Sequence, residues 1–187
     1  ASVKLVDLDA AMTQLFSTQA ALVHLNASSL NSPKVQVVNA DAFVWLKETN
    51  REKFDFIVMD FPDPSNYSIG KLYTTAFFKL VRQALTDRGR VVVQSTSPLV
   101  ARRSFWCVEA TLRAVGFRTL PYHAYLPSFG EWGYILGALE SFTPPSHYLP
   151  GLKCINAETM RAMRQFPPDM QPVPAEVNTL NNQISVD

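Results

Sequence analysis

Phe54-Asp55-Phe56-Ile57-Val58-Met59-Asp60-Phe61-Pro62-Asp63-Pro64 is the stretch on which the reading of this chain turns. Phe54 to Met59 is an apolar run of strand composition and is expected to form a buried strand. Two carboxylates three residues apart follow at its exit, on a loop with two prolines. In an open α/β sheet, the edge where strands end is where ligands bind. Carboxylates placed there can hold a cation or take a proton from one, which points to a substrate carrying amines.

Working outward, strand-like and helix-like segments alternate. Val3–Val6, Val35–Val38, Phe54–Met59 and Arg90–Val93 are apolar, β-branched runs. Between them lie a helical stretch after Asp9 (Met12, Phe16, Ala20 and Val23 at near-helical spacing), a short helix from Phe43, and a helix over Thr75–Leu85. Asp87-Arg88-Gly89 marks a turn. A further helix spans Ala101–Val115, with Gly116 suited to its C′ position. Phe117–Tyr122 and Gly133–Leu139 are the last two strands. The link Pro127–Trp132 leaves no room for a helix, so these two are expected to be antiparallel. The alternation predicts an α/β fold: a mostly parallel sheet with an antiparallel last strand and helices on both faces. After Leu139 the chain becomes proline-rich. Residues 141–187 are expected to form an appendage with one helix, about Ala157–Gln165, capped by Asn156.

Composition narrows the function classes. The 187 residues are 47% apolar and 18% charged, enough for a substantial core and too apolar for disorder. A net charge of +1 gives no global electrostatic case for nucleic acid or an anionic membrane surface. Arg102-Arg103 reads as a solvated helix face. Cys107 and Cys154 lack metal-ligand spacing, as do His24, His123 and His147, so no metal site is expected. Cys107 reads as a packing residue, and the cysteine usage fits a reducing cytoplasm. No apolar run approaches the ~20 residues of a bilayer span, so no direct membrane contact by this chain is expected. A strand at Val3 with no initiator Met before it suggests a piece of something longer.

Each candidate site has a plainer reading beside it. Asp7 and Asp9 end the first strand; one can take ribose hydroxyls while the other caps a helix, and we expect Asp7 to serve the ribose. Asp41 after the second strand is either a helix cap or an acceptor for an adenine amino group, with the Ala42 N–H reaching a ring nitrogen. Asp60 and Asp63 follow the third strand. Three strands each ending in a carboxylate favour a site over three separate coincidences. Ser65–Gly70 is a candidate lid. Gln94 ends the fourth strand and is either a substrate contact or a satisfied loop amide. Phe129 and Trp132 offer an apolar wall for a methylene chain, with a core role the plainer reading of Trp132.

Taken in order, these residues resemble the polyamine aminopropyltransferases, the spermidine synthase family. Asp7-Leu8-Asp9 resembles the family's acidic strand end, and Asn39-Ala40-Asp41-Ala42 its adenine motif. Asp60-Phe61-Pro62-Asp63-Pro64 matches its Asp-x-x-Asp-Pro loop, and Leu72–Phe78 the opening of the next helix. Gln94-Ser95-Thr96-Ser97-Pro98 is similar to its Gln-x-x-Ser-Pro, and Pro127-Ser128-Phe129 stands where it has Pro-Thr-Tyr. The ordered match covers residues 3 to 140.

The resemblance implies a Rossmann-like, class I methyltransferase-type sheet. Residues 1–140 would be the catalytic domain, with the family's first strand, Gly-rich loop and small N-terminal β-domain lying upstream of Ala1. It implies aminopropyl transfer from decarboxylated S-adenosylmethionine to a diamine, putrescine giving spermidine, with release of methylthioadenosine. Asp60 would be catalytic; Asp63, Gln94 and Phe129 would bind the amine; Asp7, Leu8, Asp41 and Ala42 would bind the nucleoside co-substrate. No metal is implied. The expected partners are small-molecule polyamines and a second copy in a homodimer, with no nucleic acid. The tail resembles bacterial members whose synthase domain follows a set of membrane helices, which implies a cytoplasmic domain tethered to the inner membrane. The rival readings are an S-adenosylmethionine-dependent methyltransferase and a non-catalytic polyamine- or nucleoside-binding domain.

Overall fold

The computed structural model describes residues 1–48, 52–64, 66–182 and 184. The chain divides into two compact units, residues 1–50 and 51–187. The proline-rich segment expected as an appendage, residues 141–187, falls within the second of these units.

The first unit is β1 (Val3–Asp7), α1 (Ala10–Thr18), α2 (Ala20–Leu25), β2 (Val35–Asn39) and α3 (Ala42–Glu48). β1 and β2 pair in parallel, Val3 opposite Val35 through Asp7 opposite Asn39. Both strands therefore end at one edge, and Asp7 and Asn39 are neighbours there. The expected single helix after Asp9 is broken: Gln19 is extended between α1 and α2. Side chains accept the break, with the Asn26 amide donating to the Phe16 carbonyl and the Asn31 amide to the Ser17 carbonyl (2.8 and 3.0 Å). These bonds satisfy carbonyls that a helix end leaves without partners.

The second unit contains β3 (Phe54–Met59), α4 (Tyr67–Gly70), α5 (Thr75–Ala84), β4 (Leu85–Gln94), α6 (Arg102–Ala114), β5 (Arg118–Leu126), β6 (Gly130–Ala138) and α7 (Ala157–Ala162). Its sheet has the order β3-β4-β6-β5. β3 and β4 are parallel, while β6 runs against both of its neighbours, β4 and β5. The antiparallel partner expected at the end of the sheet is thus present, inserted between β4 and β5. The strands are longer than expected: β5 and β6 meet in a tight turn, and β4 absorbs Asp87–Gly89 through an irregularity in its register with β3.

The core of this unit lies under α5 and α6. Phe77, Phe78, Val81, Val91, Val93, Phe105, Val108, Leu112 and Ile135 are essentially inaccessible. Each such side chain stabilises the fold by on the order of 1.5–3 kcal/mol relative to exposure. α5 begins at Thr74, whose hydroxyl accepts from the Phe77 N–H, and α6 ends at Gly116 with φ +93°, as a C′ glycine should. β3 departs from its expected burial. Met59 is buried, but Phe56 and Val58 are more than half exposed. Among the described residues β3 pairs only with β4, so it is an edge strand and lacks the neighbours that would cover it.

The proline-rich segment packs along α6. The Trp106 indole donates to the Met170 carbonyl (3.0 Å) and the Arg102 guanidinium to the Gln171 carbonyl (2.7 Å). Arg102 is therefore an anchor and not a solvated side chain. α7 ends at Ala162, sooner than the predicted Gln165, and opens with a capping box between Asn156 and Thr159. The imidazole of His123 lies between Glu131 Oε2 (2.7 Å) and the Gln165 carbonyl (2.9 Å), which ties this end of the segment to the β5–β6 hairpin. Cys107 is buried and Cys154 exposed, both as free thiols; burial pushes the Cys107 thiol up. Among the described residues, no helix is long and apolar enough to cross a membrane, and no group of three or more His, Cys, Asp or Glu could hold a metal ion.

Candidate active site

In the second unit the sheet register sets the site. Met59 stands opposite Val93, Gln94 opposite Tyr134, and Tyr134 opposite Tyr122. The Asp60–Asp63 loop therefore leaves the sheet beside a row of polar side chains running across β4, β6 and β5.

Two side chains hold the loop by its backbone. The Tyr73 hydroxyl lies 3.2 Å from the carbonyls of both Phe61 and Pro62 and 3.4 Å from that of Gln94. The Gln94 amide donates to the Phe61 carbonyl (3.3 Å). Tyr73 is only 1% exposed. Burial first, then the charges of Asp63 and Asp60, push its phenol well above its ordinary value. It stays protonated and stays a donor. Tyr134 is pushed up as well, by burial and then by the charge of Asp60. Tyr134 stacks on Tyr122 with ring centres 5.3 Å apart.

Asp63 is the most informative side chain. Its Oδ2 accepts from the Thr96 hydroxyl (3.0 Å), while its Oδ1 is buried and has no hydrogen-bond partner among the described residues. An acceptor left in that state costs about 1–3 kcal/mol, and more for a charged group. The arrangement suits a donor that arrives with a ligand. Thr96 is itself strained, with φ +55° on a β-branched residue. It is held there by an exchange of backbone hydrogen bonds around Gly133: Gly133 N–H to the Thr96 carbonyl (2.7 Å) and Ser95 N–H to the Gly133 carbonyl (2.9 Å). A Cβ at Gly133 would stand 2.7 Å from that carbonyl and 2.5 Å from the Phe105 ring, so the close approach requires glycine.

Asp60 is exposed at the end of β3. Phe129 sits at the β5–β6 turn, 69% exposed, with its ring against Trp132 (5.7 Å). Trp132 is half-buried and not a core residue. In the candidate lid, Ser65 lies outside the described residues; Asn66 caps α4, accepting from the Ile69 N–H (3.1 Å).

In the first unit the acids behave differently. Asp9 caps α1, accepting from the N–H groups of Ala11 and Met12 (2.9 and 3.1 Å). Asp7 accepts from the Asp9 N–H (2.7 Å) through Oδ1. Asp41 accepts from the N–H groups of Phe43 and Val44 (2.9 and 3.3 Å), the capping geometry that was its plainer reading. Leu8 is 76% exposed between the two acids.

Sequence reasoning singled out Asp60, Asp63 and Gln94, and the structure places Gln94, at the end of β4, against the loop that carries Asp60 and Asp63. It missed Tyr73, Thr96 and Tyr134 as members of the cluster. Tyr73 and Thr96 lay inside quoted motifs, and a β-branched residue forced to positive φ leaves no mark in sequence. A groove of about 1110 Å³ lies elsewhere, between α6, β5 and the proline-rich segment, and is lined by Trp106, Arg113, Phe117, Arg118, Arg164 and Phe166 among others. It contains none of the strand-end acids.

Parallel strands alternating with helices, closed by an antiparallel hairpin, define an α/β protein. Two solved spermidine synthases share that fold. One, in complex with the transition-state analogue AdoDATO, aligns with a TM-score of 0.76 at 19% identity over 89% of this chain and 58% of its own. The enzyme from Thermotoga maritima aligns at 0.73 and 19% identity, over 89% and 57%. Residues 1–143 match the spermine/spermidine synthase domain family, and the chain belongs to that family. A polyamine aminopropyltransferase from Leptospira interrogans is 48% identical over 185 residues, 99% of this chain and 37% of the relative. Polyamine aminopropyltransferase 2 from Ralstonia nicotianae is 52% identical over 183 residues, 97% and 36%. The chain thus spans a little over a third of the length of these curated relatives.

Proposed function

We propose that the protein carrying this chain transfers an aminopropyl group from decarboxylated S-adenosylmethionine to a diamine such as putrescine, and releases methylthioadenosine. The observation that carries the reading is Asp63, whose buried Oδ1 lacks a donor among the described residues, on the same loop as the exposed carboxylate of Asp60. Family membership supports it, since the curated relatives are named polyamine aminopropyltransferases.

In this reaction the amine nitrogen attacks the methylene carbon bonded to the sulfonium. A C–N bond forms, the C–S bond breaks, and its electron pair returns to sulfur. The leaving thioether is neutral and needs no acid. The nucleophile carries the difficulty: a free alkylamine titrates near ~10.4, like lysine, and must shed a proton to attack. Asp60 orients the attacking nitrogen and accepts or relays that proton. A positioned base is typically worth roughly 10²–10⁴-fold, and alignment of nitrogen, carbon and sulfur supplies further acceleration. Asp63 receives an ammonium group on Oδ1 while Thr96 holds Oδ2. Gln94 steadies the loop, and Phe129 offers its ring to the methylene chain. Asp7, Leu8, Asp41 and Ala42 take the nucleoside. To do so Asp7 offers Oδ2 to the ribose, and the Ala42 N–H reaches the adenine ring.

The test is to supply the full-length protein with decarboxylated S-adenosylmethionine and a panel of di- and triamines, following methylthioadenosine by mass spectrometry. Release that depends on one amine supports the reading and names the acceptor. Folded protein that releases none with any amine, or that transfers a methyl group from S-adenosylmethionine instead, overturns it.

A further inference from the structure

The Asp60–Asp63 loop is held from an unexpected direction. Asn178 lies in the proline-rich segment, 105 residues from Tyr73, and is 1% exposed. Its side-chain amide donates to the Tyr73 carbonyl (3.1 Å), and its backbone carbonyl accepts from the Thr75 N–H (2.9 Å). Its own N–H donates to the Thr111 hydroxyl on α6 (2.9 Å), which in turn donates to the Cys107 carbonyl (2.6 Å). Asn178 therefore clamps the backbone of Tyr73–Thr75 on both sides of Thr74, from a base fixed to α6. Met170 and Gln171, bonded to Trp106 and Arg102, secure the segment on the way. On the far side of the same residue, the Tyr73 hydroxyl reaches the Phe61 and Pro62 carbonyls, between Asp60 and Asp63.

We propose that Asn178 is a positioning residue for the amine site: it fixes the height and rotation of Tyr73, and through that hydroxyl the spacing of Asp60 and Asp63. The inference rests on the aminopropyl-transfer reading for its functional consequence, but the coupling itself is structural. It makes the proline-rich segment, outside the 1–143 family match yet inside the alignments to the curated relatives, a working part of the site. Hydroxyl contacts already at 3.2 Å tolerate little drift, because hydrogen bonds weaken steeply with distance and angle. Loss of one clamp at the backbone of Tyr73 is therefore felt at its tip.

The experiment is a double-mutant cycle in the full-length protein with Asn178→Ala and Tyr73→Phe, alone and together. Each single change should lower kcat/KM for the diamine about tenfold, and the pair should be no worse than the more severe single. Methylthioadenosine affinity should stay within about twofold throughout. Multiplying effects, or an equal loss of nucleoside affinity, would show a general structural role and overturn the proposal. Hydrogen exchange decides the coupling independently of turnover. The amides of Asp60, Phe61 and Asp63 should exchange faster in both single variants and no faster in the double, while Val91–Val93 stay unchanged. Wild-type exchange at the loop in Asn178→Ala, with Tyr73→Phe raised, would also overturn it. If Asn178→Ala does not fold, Asn178→Ser, which keeps a small polar side chain too short to reach Tyr73, carries the same expectations. A wild-type protein that releases no methylthioadenosine counts against the proposed function, and the exchange result then stands or falls alone.

Discussion

The strand-end acids of the two units face opposite situations. In residues 1–50, Asp7, Asp9 and Asp41 each accept from the N–H two residues ahead, at Asp9, Ala11 and Phe43. Asp60 cannot do this, because the residue two ahead is Pro62, which has no N–H. It accepts no hydrogen bond among the described residues. Asp63 is met by a hydroxyl from a distant strand end on one oxygen only. An acid satisfied by its own backbone is fixed and partly neutralised before a ligand arrives. An acid denied that partner by proline keeps its charge available for a cation. The same residue type after a strand thus accepts from the local backbone in one unit and accepts none from it among the described residues in the other.

The sharpest way to break this comparison is Asp60→Asn. Turnover with the diamine should fall by roughly 10²–10⁴-fold, with methylthioadenosine affinity and thermal stability near wild type. A loss of stability of similar size would make Asp60 structural. Next in size, Thr96→Gly should relieve the positive-φ strain at the expense of the Asp63 contact. The diamine KM should rise by about tenfold, as expected for a lost hydrogen bond to a charged group, while the melting temperature holds or rises. An unchanged KM would detach Thr96 from the site. Smaller again, Asp9→Ala should cost about 1 kcal/mol of stability, the usual worth of an N-cap, measured by denaturant unfolding, without touching the diamine KM. A large KM effect would erase the distinction between the units.

A further test concerns pH. Burial first, and then the neighbouring Tyr134, raise the Tyr122 phenol from its ordinary 10.0 to about 12. Its contribution to stability is fully present below pH ~10 and is lost as pH rises through about 12. Tyr122→Phe should flatten that part of the stability profile; a profile identical to wild type would show that the ring is not buried as described.

Much of this was legible in the chain. Asp60-Phe61-Pro62-Asp63-Pro64 carries its meaning locally, in an apolar run, two acids and two prolines. The β5–β6 hairpin followed from a link too short for a helix, and Gly116 from its place after α6. What was hidden depends on distance along the chain. The break at Gln19 depends on the Asn26 and Asn31 amides, which donate to the Phe16 and Ser17 carbonyls, and the exposure of Phe56 and Val58 depends on which strands flank β3. The positive φ of Thr96 depends on its exchange with Gly133, and Asn178 acts across 105 residues. Periodicity and motif spacing do not report such pairings.

Calorimetric titration of putrescine into the full-length protein saturated with methylthioadenosine tests the central claim most directly, comparing wild type with Asp63→Asn. If the buried Oδ1 is the seat of an ammonium group, diamine binding should weaken by at least about tenfold in Asp63→Asn while methylthioadenosine affinity stays unchanged. Equal diamine affinity in the two proteins would contradict the account.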